Sequence, residues 1–347
     1  MCAFFLRRSS GISPRSSPSF ESSGLMLKAT TRVSLKARCI LNRSQSAMMR
    51  IEGELAATAC GLVAIILWST AAGLIRSVSE LIGPLGGAAM IYTLGAILLV
   101  FLLGKPRLRS TSKLYLFLGS ALFVASEVCL SLALGFASNR NQAIELGVVN
   151  YLWPCLTVVL AIIMNGQKAR WIIIPGTALA LFGILWVVSG DGLSLPGIIE
   201  NVQSNPLSYS LALGCGITFA LYCNVTRRYA DGQNLVGLFF VLTAIVLWLK
   251  YLFSSEMIPA ISLGGGLELV AAAVAMAGGY ALWNIGILRG NLTLLATASY
   301  LAPVLTSAFA AVWLGVVLNI QFWQGAVLVT AGSLICWQAT RRRGDSV

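Results

Sequence analysis

Ten uninterrupted apolar runs constrain this chain more than any other feature. A helix needs about 20 largely apolar residues to cross a bilayer. The runs lie near 55–75, 84–103, 114–137, 142–164, 171–189, 207–226, 235–253, 267–288, 293–317 and 321–340. They are continuous, whereas a membrane barrel needs segments of about ten residues with alternating polarity. The expectation is an all-α membrane protein of ten transmembrane helices, joined by short connections, with no sizeable domain outside the membrane. Composition agrees: 57% of residues are apolar and 10% charged, against about a quarter charged in soluble domains. A soluble globular enzyme is therefore excluded. Histidine is absent, which removes imidazole metal sites, histidine-based triads and histidine proton relays. None of the eight cysteines forms a Cys-x-x-Cys pair. Most sit in apolar runs and read as small buried hydrophobes. No metal and no cofactor are expected.

Lysine and arginine set the orientation. With the start of the first run inside, the inner connections hold twelve: Lys105, Arg107, Arg109, Lys113, Lys168, Arg170, Arg227, Arg228, Arg289, Arg341, Arg342 and Arg343. The outer ones hold three, Arg76, Arg140 and Lys250. Both termini are thus expected in the cytoplasm. The net charge of +12 is mostly this topology signal. It is dispersed rather than gathered on one face, so no nucleic-acid partner is expected. Residues 1–50 differ, with nine Lys/Arg, eleven Ser and one acid, Glu21. They read as a disordered N-terminal extension, either a transit-like segment or an overlong translation start, with Met26, Met48 and Met49 as later starts.

The chain also repeats itself. Asn150-Tyr151-Leu152-Trp153-Pro154-Cys155-Leu156-Thr157 answers Ser299-Tyr300-Leu301-Ala302-Pro303-Val304-Leu305-Thr306 at an offset of 149. The same offset carries Gly176 and Gly183 onto Gly325 and Gly332. Residues 51–190 and 191–347 then form two five-helix halves. Five is odd, so the second half is inverted, an architecture used by transporters with a site near the midplane. Pro154 and Pro303 each remove a backbone hydrogen bond and are expected to kink equivalent helices and serve gating. The glycine pairs read as close helix–helix packing.

Charges within spans default to function. Only Glu127 lies well inside one, with Ser131 a turn further on the same face. It has three open roles: contact with a substrate ammonium, proton coupling, or a structural hydrogen bond. Aromatic residues recur mid-span beside small polar ones: Trp68 with Ser69, Asn150 with Tyr151, Trp153 and Thr157, Thr218 with Tyr222, Tyr280 with Trp283 and Asn284, and Tyr300 with Ser307. Trp171, Trp248, Tyr251 and Trp323 are assigned instead to interfacial belts. The mid-span set suits a cavity for a ligand partly apolar and partly zwitterionic. Trp68, Trp153, Tyr222, Tyr280 and Tyr300 would form its walls. Asn150 and Asn284 would address the ligand's amino and carboxylate ends.

Ten spans in two inverted halves resemble the drug/metabolite transporter (EamA) superfamily. More specific strings resemble the YddG-type aromatic amino acid exporters. These include Leu67-Trp68-Ser69-Thr70 with Gly73-Leu74-Ile75-Arg76, Gln142 to Gly147 running into Asn150-Tyr151-Leu152-Trp153-Pro154, and Asn165-Gly166-Gln167-Lys168. Asn205-Pro206-Leu207-Ser208-Tyr209, Trp283-Asn284-Ile285-Gly286-Ile287-Leu288 and Phe322-Trp323-Gln324-Gly325-Ala326 add to them. The resemblance implies a multi-pass secondary transporter of the bacterial inner membrane. It would export Phe, Tyr, Trp and other amino acids by alternating access, with a central cavity from spans one, three, four, six, eight and nine. A monomer with the lipid bilayer and a small-molecule substrate as partners is expected. The runner-up is export of another small metabolite or an amphiphilic drug, and after it a channel. An intramembrane enzyme would need a reactive constellation, and no histidine or paired carboxylates within a span supply one.

Overall fold

The computed structural model describes the backbone over residues 24–104, 111–166, 169–190, 194–230 and 233–340. Lys105, Arg107, Arg109, Lys168 and Arg341, Arg342 and Arg343, used above for orientation, lie outside the described residues. Residues 1–52 and 53–347 are two compact units. In the first, helix begins at Gly24, inside the stretch expected to be disordered. No proline or glycine falls between residues 25 and 52, so nothing local stops a helix there.

The second unit is helical throughout its described elements. It contains the 53–82 part of α1 (Gly24–Ile82), then α2 (Pro84–Leu103), α3 (Lys113–Gly135), α4 (Arg140–Asn150), α5 (Trp153–Asn165) and α6 (Ile173–Val188). After these come α7 (Leu195–Ser204), α8 (Pro206–Tyr229), α9 (Val236–Leu252), α10 (Leu263–Ala273), α11 (Gly279–Arg289), α12 (Leu292–Ser299), α13 (Ala302–Leu314) and α14 (Ile320–Thr340). Seven helical segments are long and apolar enough to cross a membrane. Ile173–Val188, Val236–Leu252 and Ala302–Leu314 are apolar but shorter. The chain is an all-α membrane protein. One helix was not anticipated: α7 fills the 190–206 connection, capped by the Ser194 hydroxyl, which accepts from the Gly197 amide at 3.2 Å.

Two helices are broken rather than kinked. Before Pro154 the backbone tightens, with Tyr151 N donating to Val148 O at 3.0 Å and Leu152 N to Val149 O at 3.2 Å. Before Pro303, Leu301 N donates to Ala298 O at 3.0 Å. Each proline is the second residue of a new helix, where its missing N–H costs nothing. The three-residue bonds end the preceding helix, and the carbonyls of Asn150 and Ser299, four before the prolines, lose their usual donor. The two new helices also end alike. Gly166 and Gly315, again 149 apart, stop α5 and α13 with φ of 61° and 65°, a left-handed conformation that glycine adopts without strain. The repeat therefore extends to both ends of this helix pair.

The glycine pairs carry the α6–α14 seam. A Cβ on Gly183 would stand 2.7 Å from the Val329 nitrogen, and one on Gly332 would stand 2.7 Å from the Gly176 carbonyl oxygen. The obstacle in both cases is backbone, which cannot step aside, so only glycine permits this approach. The helices α3 and α8, and α2 and α9, also pack against each other, through side chains.

Candidate substrate site

A π-helical turn over Val274–Gly278 separates α10 from α11. Such a turn offsets the helical faces on either side of it. Gly279 follows it, and a Cβ there would meet the Trp68 ring at 2.6 Å, so the glycine lets α11 close on α1. Tyr280 and Trp283 then face Trp68, with ring centroids 5.0 and 5.5 Å away. Contacts pass inward from ring to ring. Tyr280 lies 5.5 Å from Phe123, Phe123 5.2 Å from Tyr222, Tyr222 5.8 Å from Phe219, and Phe219 5.0 Å from Trp153. Phe239 and Phe240 close the cluster from α9. Edge-to-face and tilted geometries predominate, as the ring quadrupoles favour. Trp68, Tyr222, Tyr280, Trp283 and Trp153, expected to share a wall, belong to one connected aromatic cluster.

Glu127 is at its centre. The α3 carboxyl is 4% exposed. Tyr92 Oη donates to its Oε2 at 2.5 Å, and Tyr280 Oη donates to its Oε1 at 2.8 Å. Both oxygens are engaged, and each by a tyrosine from a different helix. Ser131 is buried close by, but its hydroxyl has no hydrogen-bond partner among the described residues.

The other expected residues divide. Tyr151, in the break between α4 and α5, shares a hydrogen bond of 2.6 Å with Thr306 of α13, so the two broken segments touch. Asn150 and Trp68 keep buried polar atoms, Oδ1 and Nε1, without a partner among the described residues. Buried polar atoms in protein interiors are ordinarily paired, and more so in lipid. Asn284 is half-buried on α11. Tyr300 stands apart from the cluster, 6.3 Å from Trp337 of α14. Thr218 bonds back to the Gly214 carbonyl of its own helix at 2.7 Å, which occupies its hydroxyl. Among the belt residues, Trp171 is 77% exposed, while Trp248 is half-buried and donates from Nε1 to Thr93 at 2.9 Å.

Tyr92, Phe123, Phe219, Phe239 and Phe240 were missed. Phenylalanines in an apolar run carry no signal of their own. Tyr92, a hydroxyl midway along such a run, could have been noticed as the partner a buried carboxyl requires. A surface groove of about 760 Å³ between α3 and α9 is lined by Phe117, Val124 and Leu238 and similar side chains. None of the expected site residues lines it, and its walls suit contact with lipid.

Residues 206–337 of this multi-helix membrane bundle match the EamA-like transporter family. The chain belongs to the YddG family of aromatic amino acid exporters. It is 52% identical over 288 residues to the aromatic amino acid exporter YddG of Salmonella typhimurium, covering 83% of this chain and 98% of that one. It is 51% identical to the exporter of the same name from Escherichia coli, over 82% and 98% of the two chains. A third YddG, from Ancylobacter novellus, is 28% identical over 72% of this chain and 86% of its own. A solved crystal structure shares the fold, with a TM-score of 0.59 and 24% identity, over 84% of this chain and 100% of its own.

Proposed function

We propose that this protein exports aromatic amino acids across the bacterial inner membrane as a multi-pass secondary transporter and is not an enzyme. The observation that carries this reading is the 52% identity to a named exporter over 98% of that exporter's length. The ring cluster supports it, because aromatic walls match aromatic side chains in polarisability and shape. In this reading ten spans form two inverted halves, 51–190 and 191–347, both termini are cytoplasmic, and the protein acts as a monomer. The substrate ring lies against Trp68, Trp153, Tyr222, Tyr280 and Trp283. Asn150 and Asn284 address its charged ends, and Tyr300 and Tyr151 complete the site. The breaks at Pro154 and Pro303 let the half-helices α4, α5, α12 and α13 tilt separately, a freedom that supports gating of one half against the other.

Proteoliposomes offered a panel of labelled amino acids should take up Phe, Tyr and Trp. Uptake should accelerate when unlabelled substrate is preloaded, as a carrier does and a pore does not. Uptake that ignores preloading would replace the carrier with a channel, and no aromatic uptake at all would sink the substrate assignment.

Orientation has its own test. A cysteine placed in the 190–206 connection should react with an impermeant maleimide added outside intact cells, and one in the 105–113 connection should not. The reverse pattern would invert the topology.

A further inference from the structure

The largest charged cluster among the described residues is remote from the aromatic rings and ties the ends of four helices together. Arg76, near the end of α1, is 8% exposed. Its Nη1 donates to the carbonyls of Leu134, Gly135 and Ala137, at 3.2, 3.4 and 2.6 Å, where α3 ends. Its Nε donates to Glu80 Oε1 at 2.8 Å. The other oxygen of Glu80 accepts from Arg140 Nη2 at 2.7 Å and Nε at 3.0 Å. Arg140 opens α4, and its Nη1 reaches across to the Leu314 carbonyl at 2.8 Å. Leu314 is the last residue of α13, where orphaned carbonyls and the helix dipole favour a cation.

We propose that Arg140 is the movable bolt of an outer gate, with Glu80 as its seat, Arg76 as the fixed anchor of that seat, and the Leu314 carbonyl as the part released. The proposal rests on the alternating-access reading above. Three features separate bolt from anchor. Arg76 is buried and held by three carbonyls, so it stays. The Arg140 side chain is 51% exposed, and water screens an exposed ion pair, so it opens cheaply. Arg140, at the start of α4, also reaches the end of α13, so it joins the two helices that carry the proline breaks.

The opposite end is built differently. Arg228 Nη1 donates to the Met164 carbonyl at 2.6 Å. That bond is backed by neutral amides: Asn165 Nδ2 to Asn224 Oδ1 at 2.7 Å, and Asn224 Nδ2 to the Thr157 carbonyl at 3.0 Å. Asn224 is 1% exposed. So the α5–α8 contact is a packed joint, while the α4–α13 contact is a single bond from an exposed guanidinium, itself paired with Glu80 of α1, to a helix-end carbonyl. Closing the outer end by a weak, reversible tie favours a carrier that waits for substrate from inside.

The test uses right-side-out and inside-out vesicles containing the full chain. R140Q removes the bolt; R140K keeps its charge but cannot span both Glu80 and Leu314; E80Q removes the seat's charge while Arg76 keeps its carbonyls. Freed of the latch, the outward-open state gains population. The apparent KM for aromatic amino acid offered from outside should fall about fivefold and that offered from inside should rise, R140Q exceeding R140K. Amide exchange should quicken over 136–145 and 311–318 in R140Q and stay unchanged over 157–166. Equal KM values at both faces in variant and wild type, or unchanged exchange at both ends, would overturn the gate and leave Arg140 as a static tie. Wild-type vesicles that transport no aromatic amino acid would instead sink the functional reading on which the gate depends.

Discussion

Glu127→Gln is expected to retain transport within about threefold of wild type, and Glu127→Ala to lose it along with much of the protein's stability. The contrast follows from the partners. Both carboxyl oxygens of Glu127 are held by tyrosine hydroxyls, from Tyr92 of α2 and Tyr280 of α11. Glutamine keeps the shape, one oxygen acceptor and one amide donor. A tyrosine hydroxyl can also accept, so a reversed bond satisfies the second tyrosine. Alanine strands two buried hydroxyls at about 1–3 kcal/mol each and leaves a cavity besides. A loss of about 2–6 kcal/mol before the cavity is counted is a large share of the 5–15 kcal/mol that holds an ordinary domain. Tyr280 would also lose the bond that fixes its ring against Trp68. Melting temperature in detergent and initial uptake in proteoliposomes measure the two effects separately. A glutamine variant that melts like wild type but fails to transport would show that the charge acts on substrate or proton, reviving the roles that the filled hydrogen bonds argue against.

Much of the fold could be read in the sequence because lipid imposes a simple rule. Every backbone group must pair internally, so a long apolar run is a helix. That rule has no bearing on where a helix is interrupted. Pro154 and Pro303 marked the places, but the tight turns at Tyr151 and Leu301 depend on whether the chain bends or restarts. A proline accommodates a restart at no cost when it is the second residue of the new helix. The π-helical turn at 274–278 was not legible at all, since Gly278 and Gly279 look like any small pair until Trp68 packs against them. The glycine seam was legible, because a seven-residue spacing puts both members on one face and two copies at one offset say that the faces match.

The candidate site was legible where polarity contrasts with its surroundings. Glu127, Asn150 and the mid-span tryptophans stand out in apolar helices. Phe123, Phe239 and Phe240 do not, though they are wholly buried and lie between Tyr280 and Tyr222. Tyr300 shows the converse. Its repeat mate, Tyr151, reaches the opposite broken segment through Thr306, whereas Tyr300 turns to Trp337. The two segments at the 149-residue offset share their backbone breaks but not these side-chain contacts, because neighbours from other helices choose the rotamer. The outer charge cluster was hidden for a different reason. Arg76 and Arg140 entered the topology count as loop charges; the i,i+4 spacing of Arg76 and Glu80 was readable, but nothing in sequence brings Arg140 to Glu80 or to a carbonyl on α13.

Trp153→Ala should weaken Phe and Trp transport by about 5- to 100-fold in apparent affinity, corresponding to roughly 1–3 kcal/mol, while Trp248→Ala leaves affinity unchanged. The two rings are both half-buried, so burial alone does not distinguish them. Their partners do. Trp153 is the first residue of α5, immediately after the break, and stacks edge-on against Phe219 at 5.0 Å within the ring cluster. Trp248 lies in α9 with its indole nitrogen donating to Thr93 and its ring against Tyr251 at 5.6 Å, a contact between α2 and α9 away from the breaks. Removing Trp248 costs packing and one hydrogen bond, which lowers stability but leaves the binding surface intact. In the proposed mechanism Trp153 is a wall ring at the helix end that moves when access alternates, so its removal is expected to weaken binding. Competition by unlabelled Phe, Tyr and Trp against a labelled substrate measures both variants on one scale. Alanine loses the indole's area whichever aromatic side chain is bound, so all three substrates should weaken, Trp most because it covers the most surface. Equal losses in both variants would show that the wall is misplaced. A loss in Trp248→Ala alone would move the substrate to the α2–α9 face.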